Sequence, residues 1–164
     1  MDTNHTATAH YILQYYLTVN SLYGTPGGAG WYDAGSTAYA TLNTGVIDHG
    51  NGSRRVFTGW ERDAFGTDYA RSNPILMDSP KTAVASWKTQ YYLEVRTDPL
   101  GITAVSGEGW YNEFTYVTLN APAIADYNFE YWDVDNVSPG VGVNPIMVQM
   151  DAPHIATAHY TPII

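Results

Sequence analysis

The histidines that recur at one spacing are the first residues with the chemistry for a functional site. His5 and His10 are repeated as His154 and His159. Histidine ligates transition metals and transfers protons near neutral pH. The two members of each pair lie five residues apart, so on a β-strand they point to opposite faces. One strand cannot direct both rings at one ion, and we expect exposed or interface histidines without a bound metal.

Paired aromatic residues next to glycines are the second candidate. Trp31 and Tyr32 follow one glycine, and Trp110 and Tyr111 follow another. Exposed Trp and Tyr side chains could stack on sugar rings or on a partner protein. The alternative is that both Trp side chains fill the end of a β module. Both interpretations fit a pair that recurs at one place in each half of the chain, so both stay open.

An acidic segment near residue 134 is a weak candidate for calcium. Asp133, Asp135 and Asn136 place two carboxylates and an amide within four residues. Calcium prefers several oxygen ligands that converge on one point. The Asp-x-Asp-x-Asp spacing with a following Gly is missing, so we predict a solvated acidic loop and no metal.

No catalytic motif is present. The sequence has no Gly-x-Ser-x-Gly, His-Glu-x-x-His, phosphate-loop or dinucleotide pattern. The absence of Cys excludes disulfides and a thiol nucleophile. We therefore expect a protein that is not an enzyme and that needs no cofactor.

Composition favours strands and narrows the class of partner. The 164 residues are 45% apolar and include 14 Tyr but only 7 Lys plus Arg, which is typical of β-structure. The formal charge of −9 disfavours nucleic acid and anionic membranes. No apolar run approaches the roughly 18 residues that span a bilayer, so we expect no membrane insertion within this segment.

Internal repetition is the strongest signal. The dipeptide Met-Asp occurs at residues 1, 77 and 150, which are 76 and 73 residues apart, and a small-residue alternation follows each occurrence. Other landmarks recur in the same order: residues 14–19 with 90–95, 30–33 with 109–112, 39–42 with 116–119, 57–61 with 129–133, and 73–75 with 144–146. Such an ordered series indicates a tandem duplication.

The repeat predicts an all-β protein with two small modules, sandwich- or β-grasp-like. We place the modules at residues 12–87 and 88–164, with residues 1–11 as the closing strand of a preceding repeat. Alternation without Gly or Pro across 82–95 predicts a long strand shared by both modules, and hence a stiff array. The strands are predicted near residues 6–19, 36–44, 54–60, 74–77, 82–95, 101–106, 113–119, 127–133, 144–149 and 154–160.

Large aromatic residues at matching positions are the predicted structural residues. They are Phe57 and Trp60 in the first module, Phe129 and Trp132 in the second, and Tyr11 and Trp87 in the strands that close a repeat. Trp60 and Trp132 are expected in the core.

The ordered landmarks resemble those of the divergent InlB B-repeats of bacterial and archaeal surface proteins. Residues 57–60 and 77–87 carry the resemblance in the first copy, and residues 129–132 and 150–160 in the second. The resemblance implies extracellular display at the cell surface in tandem arrays, as stalks or adhesive modules without catalysis. Its partners would be neighbouring repeats of the same chain. The alternative is a module that binds a glycan or a surface protein through exposed Trp and Tyr.

Overall fold

We describe the fold from a computed structural model, which describes residues 3–164; Met1 and Asp2 lie outside the described residues. Residues 3–164 form strands, turns and irregular segments without a helix, so the predicted all-β class is confirmed. They accordingly contain no helix of the length and hydrophobicity that a bilayer crossing requires. The strands are β1 (Gln14–Asn20), β2 (Pro26–Gly27), β3 (Gly30–Asp33), β4 (Thr37–Ala38), β5 (Thr41–Leu42), β6 (Val46–Asp48), β7 (Ser53–Arg62), β8 (Ile75–Leu76), β9 (Lys81–Asp98), β10 (Gly109–Asn112), β11 (Tyr116–Leu119), β12 (Tyr127–Val134), β13 (Ile146–Gln149) and β14 (His154–Pro162).

The chain divides into two compact units. Unit 1 comprises residues 3–45 and 57–87, and unit 2 comprises residues 46–56 and 88–164. The change from one unit to the other after Trp87 coincides with the predicted module boundary. The hairpin of β6 and β7 differs from the prediction, because residues 46–56 group with unit 2. Its tip explains this grouping, since the Tyr92 N–H donates to the Gly52 carbonyl at 2.8 Å.

In unit 1 the strand β1 has a different neighbour along each half of its length. Gln14 to Leu17 pair antiparallel with β3, and Leu17 to Asn20 pair parallel with the first residues of β9. Leu17 lies where the two ladders meet and is fully buried. The parity of the strand thus directs Leu17 and Val19 into the core of unit 1.

Unit 2 repeats this arrangement with the second half of β9 in place of β1. Gln90 to Leu93 pair antiparallel with β10, and Leu93 to Asp98 pair parallel with β14. Leu93 again lies where the ladders meet and is fully buried. The same register at equivalent residues confirms that the tandem landmarks describe two copies of one strand arrangement.

The long strand predicted over residues 82–95 is confirmed. β9 is a single strand of 18 residues. Its first part belongs to unit 1, and its part from Lys88 onward belongs to unit 2. The absence of Gly and Pro from this stretch lets the backbone hydrogen-bond ladder continue without a turn.

Each unit has its own hydrophobic core, built from equivalent residues. The core of unit 1 includes Leu17, Ala38, Leu42, Trp60, Ile75, Met77, Ala83 and Ala85. The core of unit 2 includes Leu93, Val117, Leu119, Trp132, Ile146, Met150, Ala156 and Ala158. The small alanines of each closing strand let the neighbouring strands and the large Trp pack against it.

Two strand predictions were wrong in part, and a third was wrong throughout. Residues 6–13 are not in a strand, because the pairing of β1 begins only at Gln14 and the preceding residues have no partner strand in the described chain. Residues 101–106 form turns, and the partner of β9 is instead β10. Residues 36–44 are interrupted and contribute only β4 and β5. The short strands β2, β3, β6 and β10 escaped prediction, because two to four residues in or between glycine-containing turns carry little alternation.

Candidate functional site

The closing strand of unit 2, β14, holds the ionisable side chains that come together in this protein. It lies between β9, to which it runs parallel, and β12, to which it runs antiparallel. Ala156 and Ala158 face the core and are fully buried. His154 and His159 have opposite parity to each other, as the sequence predicts, and each ring contacts its own pair of aspartates.

His154 bridges two carboxylates at the start of β14. Its Nδ1 lies 2.5 Å from Asp135 Oδ2, and its Nε2 lies 2.8 Å from Asp151 Oδ1. Burial lowers the pKa of His154, but the hydrogen bonds and charges of Asp135 and Asp151 outweigh burial and raise the pKa above its ordinary value of 6.5. The protonated imidazolium can donate to both carboxylates at once.

His159 bridges a second pair of carboxylates. Its Nδ1 lies 2.9 Å from Asp98 Oδ2, and its Nε2 contacts Asp133 Oδ2. The ring of Tyr131 stacks on the imidazole, with centroids 4.4 Å apart and an interplanar angle of 20°. The cluster borders an open cavity of about 610 Å³ that Asn136 also lines.

The weak calcium candidates do not converge on one point. Asp133 contacts His159, whereas Asp135 contacts His154 and also accepts from the Ile155 N–H at 2.9 Å. Asn136 is joined to the cluster through its backbone N–H, which donates to Asp133 Oδ1 at 3.3 Å. Within residues 3–164 no group of three or more ligating side chains has an arrangement suited to a metal ion. Asp133 is also not the solvated residue that we predicted, since its side chain is only 16% exposed.

Trp31 is the most exposed of the predicted binding residues. It lies on β3, is 66% exposed, and meets Tyr16 edge to face with centroids 5.2 Å apart. Tyr16 is itself 39% exposed. An open indole beside an exposed phenol is the type of surface on which a sugar ring or an apolar side chain can stack.

Trp110 occupies the equivalent place in unit 2 but has a different environment. The guanidinium of Arg54 lies 4.4 Å from the centroid of its ring, and Tyr92 meets it edge to face at 5.3 Å. Arg54 is held in turn by Gln90, whose Oε1 accepts from Nε at 2.8 Å. A cation over the indole face occupies the surface that a ligand would stack on.

Tyr32 and Tyr111 are fixed in the same way in both units. The Tyr32 hydroxyl donates to the Gly28 carbonyl at 2.6 Å, and the Tyr111 hydroxyl donates to the Gly107 carbonyl at 2.7 Å. Both rings pack against the core of their unit. Each Tyr therefore ties the Gly-rich turn to the strand that follows it.

The predicted structural aromatics divide into buried and exposed residues. Trp60 and Trp132 are 5% and 0% exposed. Phe57 and Trp87 pack in unit 1, and Phe129 packs in unit 2. Tyr11, in contrast, is 92% exposed, because the segment before β1 has no partner strand in the described chain.

Sequence reasoning missed the aspartate partners of the histidines and the Arg54 cover of Trp110. The parity argument separated His154 from His159 but could not indicate which carboxylates face them, since Asp98 lies 61 residues from His159. The repeat offered one usable signal, because Asp63 and Asp135 occupy equivalent positions in the two copies. Asp63 accepts from the Thr82 N–H at 2.7 Å, and Asp135 accepts in the same way from the Ile155 N–H.

Two copies of one strand arrangement within a chain, with a strand that contributes to both, define a tandem β-repeat module. Residues 93–164, which lie in unit 2, match the family model of the divergent InlB B-repeat domain. The resemblance drawn from sequence is confirmed there. The family is associated with bacterial surface proteins. Comparisons with curated proteins and with solved structures gave no match.

Proposed function

We propose that the chain is a non-catalytic spacer segment of a larger surface protein, displayed outside the cell and composed of tandem β units. The observation that supports this proposal most is β9, an 18-residue strand that closes unit 1 and opens unit 2. A unit that ends on the strand with which the next unit begins can be added repeatedly without a separate linker. Extension by repetition is the property that a spacer needs.

The contacts of the ionisable side chains support a role without catalysis. Both ring nitrogens of His154 and of His159 contact carboxylates. A general base needs a free nitrogen within hydrogen-bond reach of a substrate proton. These histidines instead join the closing strand to the neighbouring strands β9 and β12 and to the adjacent turns.

A display experiment tests the spacer role. One or two copies of residues 1–164 would be placed between a surface anchor and an N-terminal epitope on bacterial cells. Two copies should raise labelling by a bulky antibody through the cell's outer polysaccharide, whereas a small monovalent binder should label both equally. Equal antibody labelling would contradict a spacer. Antibodies against the purified chain should also label intact source cells without permeabilisation.

A glycan-binding role is the second candidate, and the exposed pair of Trp31 and Tyr16 favours it. The open indole face is available in unit 1, while Arg54 covers the face of Trp110 in unit 2. The purified chain would be applied to a glycan array. Binding that Trp31→Ala removes and Trp110→Ala leaves intact would support an adhesive module in place of a passive spacer.

A further inference from the structure

The segment before β1 exposes apolar side chains to solvent. Tyr11, Ile12 and Leu13 are 92%, 73% and 63% exposed, and Ala7 and Ala9 are exposed as well. Isolated exposed apolar residues are ordinary, but a contiguous apolar segment marks a surface for interaction. What covers such a segment can be read from its counterparts in the two units.

Residues 5–13 match β14 closely. Aligned without a gap on residues 154–162, six of the nine positions are identical: His5, Ala7, Thr8, Ala9, His10 and Tyr11 have the same residue types as His154, Ala156, Thr157, Ala158, His159 and Tyr160. In unit 2 the counterparts of Ala7, Ala9 and Tyr11 are 0%, 0% and 5% exposed. The same sequence thus forms a buried closing strand in unit 2 and is exposed in residues 5–13.

The match to the closing strand of unit 1 is weaker. Residues 5–11 share only three of seven positions with residues 81–87, namely Thr6, Ala7 and Ala9. Neither histidine is shared, since Lys81 and Ser86 occupy their places. Residues 5–13 therefore resemble the strand that closes unit 2 more than the strand that closes unit 1.

The groove that receives the closing strand differs between the units at one carboxylate position, one of the two that face the second histidine. Unit 2 offers Asp135 and Asp151 to the first histidine, and Asp98 and Asp133 to the second. In unit 1 carboxylates occupy three of the four equivalent positions, as Asp78, Asp63 and Glu61, and Leu22 occupies the position of Asp98. The Asp78 carboxylate lies 2.8 Å from Lys81. A strand with two histidines therefore complements the carboxylates of a groove like that of unit 2.

We propose that residues 3–13 are the closing strand of a preceding unit in the same polypeptide, and that the groove of this unit has the four aspartates of unit 2. Ala7 and Ala9 enter its core, His5 and His10 bond to its carboxylate pairs, and Tyr11 packs as Tyr160 does. The strand then continues into β1, as the first part of β9 continues into the second. The inference rests on the proposed spacer function and adds the type of neighbour.

Strand exchange between copies of the full chain tests the proposal directly. The double variant A156D/A158D places two carboxylates in the core of unit 2, which prevents β14 from closing its own groove. The exposed segment of a second copy should then enter, so light scattering should detect head-to-tail oligomers at concentrations where the wild type is monomeric. Adding A7D/A9D should restore the monomer. A monomeric A156D/A158D variant, or association that A7D/A9D leaves unchanged, would overturn the proposal.

A second measurement needs no exchange between molecules. I155T/T161I/P162L converts β14 into the sequence of residues 5–13 within the full chain. The melting temperature of unit 2 should change by less than about 4 °C, roughly the shift from 1 kcal/mol in a domain of this size. A matched variant that also carries H154K/T157V/H159S, the residues of unit 1, should melt at least about 10 °C lower. Equal melting of the two variants would contradict selection for the unit 2 groove.

These outcomes separate the inference from the spacer function. Loss of the exchange reaction would show that residues 3–13 do not close a groove of this type, while the display experiment would still report on the spacer. If the display experiment fails but strand exchange occurs, residues 3–13 still act as a closing strand, and the proposed spacer function is wrong.

Discussion

The two units have nearly the same core and quite different polar contacts around it. Leu17 and Leu93 are both fully buried at the junction of two ladders, and Met77 and Met150 are both fully buried after the last short strand. The apolar positions thus kept their roles in both copies. A core position changes only at the cost of a cavity or a clash, whereas surface polar contacts can change at little cost.

The polar differences concentrate on the closing strand and on the Trp side chains. Unit 1 places Lys81 against Asp78 at 2.8 Å, and unit 2 places His154 against Asp151 at 2.8 Å. A Lys–Asp pair keeps its charges through neutral pH, but a His–Asp pair titrates there. The same fold therefore carries a contact that stays charged through neutral pH in one copy and a contact that titrates there in the other.

The largest expected effect tests the part that the units share. Trp132→Ala and Trp60→Ala should each lower the free energy of unfolding by about 3–5 kcal/mol, because both indoles are buried and truncation leaves a large cavity. Denaturant melts of the full chain would measure the loss. A cost below about 1 kcal/mol in either unit would contradict equivalent cores, and Trp31→Ala provides the exposed control.

A smaller effect is expected where the units use different hydrogen-bond partners. Ser72 is buried, and its Oγ accepts from the Ala40 N–H at 3.0 Å. In unit 2 the exposed Asn144 accepts from the Ala121 N–H at 2.9 Å. Ser72→Ala and Asn144→Ala should each cost about 2 kcal/mol, because each removes the acceptor of a buried donor. For Asn144 the donors are the Ala121 N–H and the indole N–H of the fully buried Trp132. Chemical denaturation would measure both, and a loss below about 0.5 kcal/mol in either variant would contradict the importance of that partner.

The pH dependence should be confined to unit 2. Because the folded state raises the pKa of His154, it favours the protonated ring, so this contribution is fully present below the unfolded pKa and is lost as pH rises through the folded value. Amide protection of β14 should therefore be higher near pH 5.5 than near pH 8, by at most about 1 kcal/mol, since Asp135 and Asp151 are half exposed.

Hydrogen exchange on the full chain would measure this dependence, with His154→Gln as the test variant. His154→Gln should remove the difference between the two pH values, and His10→Gln, at an exposed position, should leave it unchanged. A pH dependence of amide protection that appears in unit 1 on Lys81→His would support this explanation of the difference between the units. A stability of β14 that rises with pH in this range would contradict the sign.

Structural features that depend on neighbouring residues in the chain could be predicted from the sequence, whereas contacts between distant residues could not. The parity of residues 82–95 and the repeated Phe-x-x-Trp landmark were sufficient for the all-β class, the long strand and the buried Trp60 and Trp132. Residues 6–13 carry the same parity but form no strand, because parity describes a side-chain pattern and a strand needs a hydrogen-bonded neighbour. The groups that meet His159 lie 26 and 61 residues away, and such pairings depend on register that a single sequence does not contain.

The smallest expected effect concerns the two Trp residues beside glycines. Trp31→Ala should change the free energy of unfolding by less than about 0.5 kcal/mol, since the side chain is 66% exposed and surface substitutions are nearly neutral. Trp110→Ala should cost about 1 kcal/mol, because it removes the ring beneath Arg54 and the edge contact with Tyr92. A double-mutant cycle with Arg54→Ala should show coupling to Trp110 and none to Trp31. A stabilising role for Trp31 as large as that of Trp110 would indicate packing at both positions, and it would remove the reason to regard the indole of unit 1 as the face kept open for a ligand.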